Sequence, residues 1–121
     1  VDTGRDEALQ ADYLRDFMTV AFSHPAMEAI VMWGFWEGRH WKPDAALYRK
    51  DWSMKPAGEV WLDLVQGEWW TRETGTTGPN GTYAVRGFKG SYDFSASRYG
   101  IKAASTVFLD DNTRVPLRLE D

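Results

Sequence analysis

Residues 27–36 read Met27-Glu28-Ala29-Ile30-Val31-Met32-Trp33-Gly34-Phe35-Trp36. From Ala29 to Trp33 the run is continuously apolar, short and partly β-branched. That is the pattern of a strand covered on both faces within an α/β layer. Upstream, Leu9, Tyr13, Phe17, Val20 and Ala21 recur at helical spacing, and Leu14, Met18 and Phe22 widen the apolar stripe. Thr3 with Asp6 three positions on approximates a capping box. Pro25 disfavours helical geometry at His24, so the helix is expected to end by Ser23 or His24. A helix, a tight proline bend and a two-sided strand make half of an α/β repeat.

Downstream, a polar loop over residues 37–55 leads to a second expected helix, from about Pro56 to Trp70. Proline at the first helical position sacrifices only an amide that would be unpaired anyway. Val60, Trp61, Leu64, Val65 and Trp69 mark its buried face. From residue 81 the apolar period becomes two, in Tyr83-Val85, Tyr92-Phe94-Ala96, Val107-Leu109 and Val115-Leu117-Leu119. Pro79-Asn80-Gly81, Lys89-Gly90, Tyr99-Gly100 and Asp110-Asp111-Asn112 punctuate these runs. A small antiparallel β module of four or five strands, sandwich-like, is expected there.

Composition divides the chain at the same place. All seven tryptophans precede position 71. Residues 1–70 hold twelve acids and seven bases, and residues 71–121 six and seven. The junction, Thr71-Arg72-Glu73-Thr74-Gly75-Thr76-Thr77-Gly78, is rich in small polar and turn-forming residues. Two units are therefore expected, 1–70 and 71–121, with an α+β fold class. At 121 residues a whole eight-fold barrel, about 250 residues, does not fit. No cysteine is present, which excludes disulfide scaffolds, thiolate metal sites and cysteine nucleophiles. A net charge of −4 makes a nucleic-acid surface an unlooked-for reading. No apolar run approaches the ~18–20 residues of a membrane span. Val1 in place of an initiator methionine suggests a processed or truncated start.

The stretch from Gln10 to Trp70 resembles the C-terminal end of glycoside hydrolase family 10, retaining endo-1,4-β-xylanases built on a (β/α)8 barrel. Ser23-His24-Pro25, Val31-Met32-Trp33-Gly34-Phe35-Trp36-Glu37-Gly38-Arg39-His40-Trp41, Lys55-Pro56-Ala57-Gly58 and Trp61-Leu62-Asp63-Leu64 carry the resemblance. It implies that residues 1–70 are a helix-strand-helix remnant of the last barrel repeat, and that Gly75–Asp121 is the β-sandwich appendage of some bacterial relatives. It further implies that Trp33 floors a sugar site and that Trp41 lies over the bound sugar. Flat aromatic rings bind the C–H face of a pyranose, while its hydroxyls seek polar partners. Trp36, Glu37, Arg39 and His40, in the same stretch, complete the candidate sugar-binding set. By the same resemblance the acid/base and nucleophile glutamates fall outside this chain, so its catalytic residues are unknown. The implied partner is plant cell-wall xylan or xylo-oligosaccharides, met outside the cell. No cofactor, metal, nucleic acid or membrane is implied.

Plainer readings stand beside these. Trp33 and Trp41 could be core tryptophans, since burial is the usual fate of indole. Trp61, Trp69 and Trp70 read as structural, while Trp36 and Trp52 fit either role. Glu37 and Asp44 are the only internal candidates for an acid/base pair, and loop acids are usually solvated. His40 lacks the partner that would define it as a base or ligand. His24 reads as a helix-end residue, and Asp110-Asp111-Asn112 as a hairpin turn rather than a calcium loop. Four functions compete: a xylanase-derived piece supplying an aromatic sugar wall, a non-catalytic carbohydrate-binding module, a structural accessory, and a miniature hydrolase around Glu37. Because one helix-strand-helix unit cannot pair a two-sided strand, that strand is expected either to join the sheet of the β module or to pair between copies. Self-association into a homo-oligomer through it is the expectation carried forward.

Overall fold

The computed structural model describes residues 1–119. The chain divides into two compact units, Val1–Trp70 and Thr71–Asp121. The fold is α+β, with helices in the first unit and an antiparallel strand pair in the second.

In the first unit, helix α1 spans Glu7–Ser23. Its N-cap is Asp6, not Thr3: the Asp6 carboxylate accepts the Leu9 amide at 2.9 Å. A charged carboxylate satisfies that amide and complements the helix dipole better than a hydroxyl. The Thr3 hydroxyl instead donates to the Asp6 carbonyl at 2.7 Å. His24 is the C-cap, and its Nδ1 accepts the Ala26 amide. Helix α2 runs from Pro56 to Leu62 and widens into a π-helix over Asp63–Glu68. The Trp69 amide then reaches the Leu64 carbonyl, and its indole stacks on Phe22 with ring centres 4.1 Å apart. The expected straight helix to Trp70 is thus shorter, with a wider last turn.

α1 packs against α2. Ala11, Leu14 and Met18 meet Leu47, Ala57, Val60 and Leu64, with Ile30, Met32, Trp61, Val65 and Trp69 around them. The expected stripe on α1 is only partly realised. Leu9, Tyr13, Phe17 and Val20 are exposed, and Gln10 and Ala11 are buried instead. The apolar arc of α1 is wider than one partner helix can cover.

The expected two-sided strand does not form. Residues 27–32 have no regular secondary structure, and no backbone hydrogen bond joins residues 28–34 to another described residue. Alternation survives without pairing: Ile30 and Met32 pack on the core, whereas Val31 and Trp33 are 89% and 85% exposed. The helix-loop-helix around it supplies no neighbouring strand to complete a ladder.

The second unit is smaller than expected. β1 (Gly90–Arg98) and β2 (Ile101–Leu109) pair antiparallel from Gly90↔Leu109 to Arg98↔Ile101. The turn places Tyr99 and Gly100 at φ 52° and 87°, the left-handed pair that a tight hairpin needs to match strand twist. Tyr92, Phe94, Ala96, Ala103, Val107 and Leu109 share the half-buried face. Tyr83-Val85 and Val115-Leu117-Leu119 form no strand among the described residues, so the unit is a hairpin with irregular flanks rather than a sandwich. Period-two patterning marks the side a residue faces, but strand formation also needs a partner edge. Asp110 caps the hairpin's open end through Lys89 at 2.8 Å, which raises the Lys89 pKa. Among the described residues, no helix is long and apolar enough to cross a membrane.

Candidate functional site

The candidate residues lie where the extended segment turns into the loop. Gly34 has φ 99°, and a Cβ there would lie 3.2 Å from the His40 ring. The glycine of the Trp-Gly pair therefore serves both the left-handed turn and the close seat of His40 against the backbone. Beyond it the chain is tied down. The Leu47 and Tyr48 amides donate to the Phe35 carbonyl, the Glu37 amide to the Tyr48 carbonyl, and the Lys55 amide to the Leu47 carbonyl. A short 3₁₀ turn over Pro43–Ala45 completes the loop.

Trp33 and Trp41 both present their rings to solvent, at 85% and 73% exposure. The Lys42 ammonium sits 5.5 Å from the Trp41 ring centre and pairs with Asp2 at 3.1 Å. The Gly4 amide, and then Lys42, hold the Asp2 carboxyl below its ordinary range. His40 Nδ1 accepts the Lys42 amide at 3.0 Å, which places the neutral ring's proton on Nε2. Arg39 is exposed.

Glu37 is not a solvated loop acid. One carboxylate oxygen accepts the Lys50 amide at 3.0 Å, and the other lies 3.7 Å from the Lys55 ammonium. Lys55 is 3% exposed, and its ammonium also donates to the Pro43 and Asp44 carbonyls at 3.4 and 3.3 Å. A cation this buried needs such partners. These two residues, with Gly4, Arg5, Glu7 and Asp44, line a polar hollow of about 360 Å³. A second clasp joins α1 to the loop: Arg49 makes a two-pronged pair with Glu7 and also donates to the Met54 carbonyl at 2.8 Å. Glu7 is the main cause of the raised Arg49 pKa.

Trp36 faces inward in part. Its indole stacks on Trp52 with ring centres 4.8 Å apart and planes within 9°, and its Nε1–H donates to the Lys50 carbonyl at 3.3 Å. Of the expected set, Glu37 thus meets the Lys55 ammonium and the Lys50 amide, His40 and Trp41 lie beside Lys42, and Trp36 joins Trp52. Lys55, Arg49 and Trp52 went unassigned in the sequence. Lys55 stands directly before the helix-opening proline, a place from which a long cation can fold back, and that was the one available signal for it. Among the described residues, no group of three or more His, Asp or Glu side chains could hold a metal ion.

Over 88 residues the chain is 44% identical to the anti-sigma-I factor RsgI6 of Acetivibrio thermocellus, covering 72% of this chain and 11% of that protein. Proteins of Arabidopsis thaliana match over 87 residues. Endo-1,4-beta-xylanase 1 is 34% identical, with 72% of this chain and 9% of that protein covered; endo-1,4-beta-xylanase 3 is 30% identical, with 72% and 11% covered. The chain is similar to part of proteins named endo-1,4-β-xylanases. It spans about a tenth of the length of the curated relatives it matches. No family model matches the chain, and no solved structure matches it.

Proposed function

We propose that this chain is a carbohydrate-active polypeptide, the closing part of a xylan-degrading barrel hydrolase, contributing a sugar-stacking wall rather than the reacting carboxyl pair. The observation that carries this reading is the similarity to endo-1,4-β-xylanases, which accompanies two solvent-facing indoles around a tied loop. In the proposal, Trp33 and Trp41 bind pyranose faces, and Arg39 and His40 Nε2–H meet hydroxyls. Trp36 and Glu37 hold the loop in shape. Retaining hydrolysis requires one carboxyl as nucleophile and another as acid/base, about 5–5.5 Å apart. Glu37 is already engaged by Lys50 and Lys55, which makes it a poor candidate for either part. The substrate is plant cell-wall xylan, met outside the cell. Titration with xylo-oligosaccharides is expected to change the tryptophan fluorescence, while xylan incubated with the chain releases no reducing sugar. A flat titration removes the sugar wall; release that Glu37→Gln abolishes restores the miniature hydrolase.

The barrel origin is supported by the alternation at Ile30–Trp33 with both backbone edges unpaired, and by the bare Leu9, Tyr13, Phe17 and Val20 stripe of α1. In a barrel, parallel strands flank such a segment on both sides. On its own, the chain is expected to bring two copies together along this segment. Light scattering then gives a mass above 13.8 kDa, and a strictly monomeric solution at high concentration contradicts pairing.

A second reading, a non-catalytic carbohydrate-binding or structural module, is favoured by one observation. The relative at 44% identity is named as an anti-sigma-I factor and not as a hydrolase. The carbohydrate-binding form of this reading keeps the tryptophan wall, so the same titration separates it from the structural form, for which the fluorescence stays flat.

A further inference from the structure

Trp52 holds a backbone conformation that its side chain disfavours. Its φ is 68°, inside the left-handed region where Asn, Asp and Gly are at ease and a bulky residue is an outlier. Such strain persists where surroundings over-determine it, and it collects at ligand sites. Here the surroundings are visible. The turn is closed by the Trp52 amide on the Arg49 carbonyl and the Arg49 amide on the Ser53 carbonyl, both at 2.9 Å. Asp51 accepts the Ser53 amide and hydroxyl at 2.9 and 2.6 Å, which lowers its pKa.

The strained position presents a ring. Trp52 lies nearly parallel to Trp36 and is 57% exposed. Trp36, half-buried, is backed by Gly38: a Cβ on that glycine would lie within 2.3 Å of the Trp36 ring. Phe35 and Tyr48 lie with ring centres 6.4 Å from Trp52. Trp52 is thus the outer ring of the stack, with Trp36 behind it and the turn fixing the backbone from which it projects. A preorganised aromatic plane binds a pyranose without the entropic cost of ordering a flexible ring. Exposed Lys50 and the Asp51 carboxylate stand next to Trp52 in the same turn, as partners for hydroxyls.

The geometry points to the Trp36–Trp52 stack as a second pyranose-binding platform, apart from Trp33 and Trp41, with Trp52 as the contact face. This rests on the carbohydrate reading above, and its ligand class is a β-1,4-linked pentose or hexose chain.

Trp52→Gly tests it, because glycine accepts φ 68° freely and removes only the ring. Binding of xylohexaose to the full chain is followed through the indole N–H signals in NMR, with the melting temperature measured in parallel. Trp52→Gly is expected to melt close to wild type yet bind about tenfold more weakly, equivalent to about 1.4 kcal/mol. Trp52→Tyr, which keeps a flat face, is expected to bind within about threefold of wild type. Unchanged binding by Trp52→Gly overturns the platform, and so does a large fall in its melting temperature, which makes the ring a structural brace. The double variant Trp33→Ala/Trp41→Ala separates the two sites. If it alone abolishes binding, the wall stands and the platform falls; if it binds while Trp52→Gly does not, the platform stands and the wall falls. No shift of any indole in the wild type overturns both.

Discussion

Leu64→Ala is expected to unfold the Val1–Trp70 unit at moderate temperature. Leu64 is 1% exposed, the most buried large side chain of that unit's core, and it packs where α1 meets the junction of α2 and the π-helix. Truncating such a leucine costs about 2–5 kcal/mol, because the cavity collapses only in part. A unit of this length has roughly 4–10 kcal/mol in total. The exposed Leu9, Tyr13, Phe17 and Val20 stripe places it at the lower end, since that area stays in water. Urea denaturation followed by tryptophan fluorescence reads the result directly. A midpoint unchanged by Leu64→Ala contradicts the core described here, whereas Leu62→Ala, at a half-exposed position, is the milder control.

Glu37→Ala is expected to cost about 2 kcal/mol, a charge-assisted hydrogen bond to the Lys50 amide and the counter-charge of a buried ammonium. Two long carbonyl contacts remain to Lys55 and keep the loss from growing further. Lys55→Met in the Glu37→Ala background is expected to recover part of the loss, since no cation is then stranded. The double-mutant cycle in urea isolates the coupling. Additive effects, or a Glu37→Ala chain as stable as wild type, mean that Glu37 does not hold the loop. This prediction and the hydrolysis assay address one residue from two sides, because a carboxylate that keeps a loop closed is not available for proton transfer.

The helices were legible for local reasons. Leu14, Met18 and Ala21 keep their spacing, Pro25 ends α1, and Pro56 opens α2. The errors are where local pattern needs a distant partner. An apolar stripe says that a face seeks cover, but which part of it is covered depends on the elements present, so Gln10 and Ala11 are inside and Leu9 and Tyr13 outside. The same holds for Ala29–Trp33, whose composition is that of a doubly covered strand and whose backbone has no neighbour to pair with. The tail shows the limit again: Tyr99-Gly100 announces its hairpin by turn chemistry, while the flanking alternations at Tyr83 and Val115 have no edge to join. At the site, Trp33 and Trp41 are singled out by the family resemblance, because residue type alone does not separate them from the other five tryptophans. The clasp of Glu37 on Lys55 and the stack of Trp36 on Trp52 arise only from loop closure across 18 and 16 positions, which no local spacing encodes.

The hairpin has a kinetic consequence. Its widest rung, Gly90↔Leu109, joins residues only 19 apart, and each inner rung is closer still. Such pairs close in about 1–10 μs. The first unit must instead bring Gln10 to Ala46 and Glu7 to Arg49, separations of 36 and 42 residues. Loop-closure entropy slows contacts that distant. Apart from local helix turns, which form faster still, the pairing of the tail is therefore expected to precede the long-range contacts of the tryptophan-rich half, zipping from Tyr99-Gly100 outward.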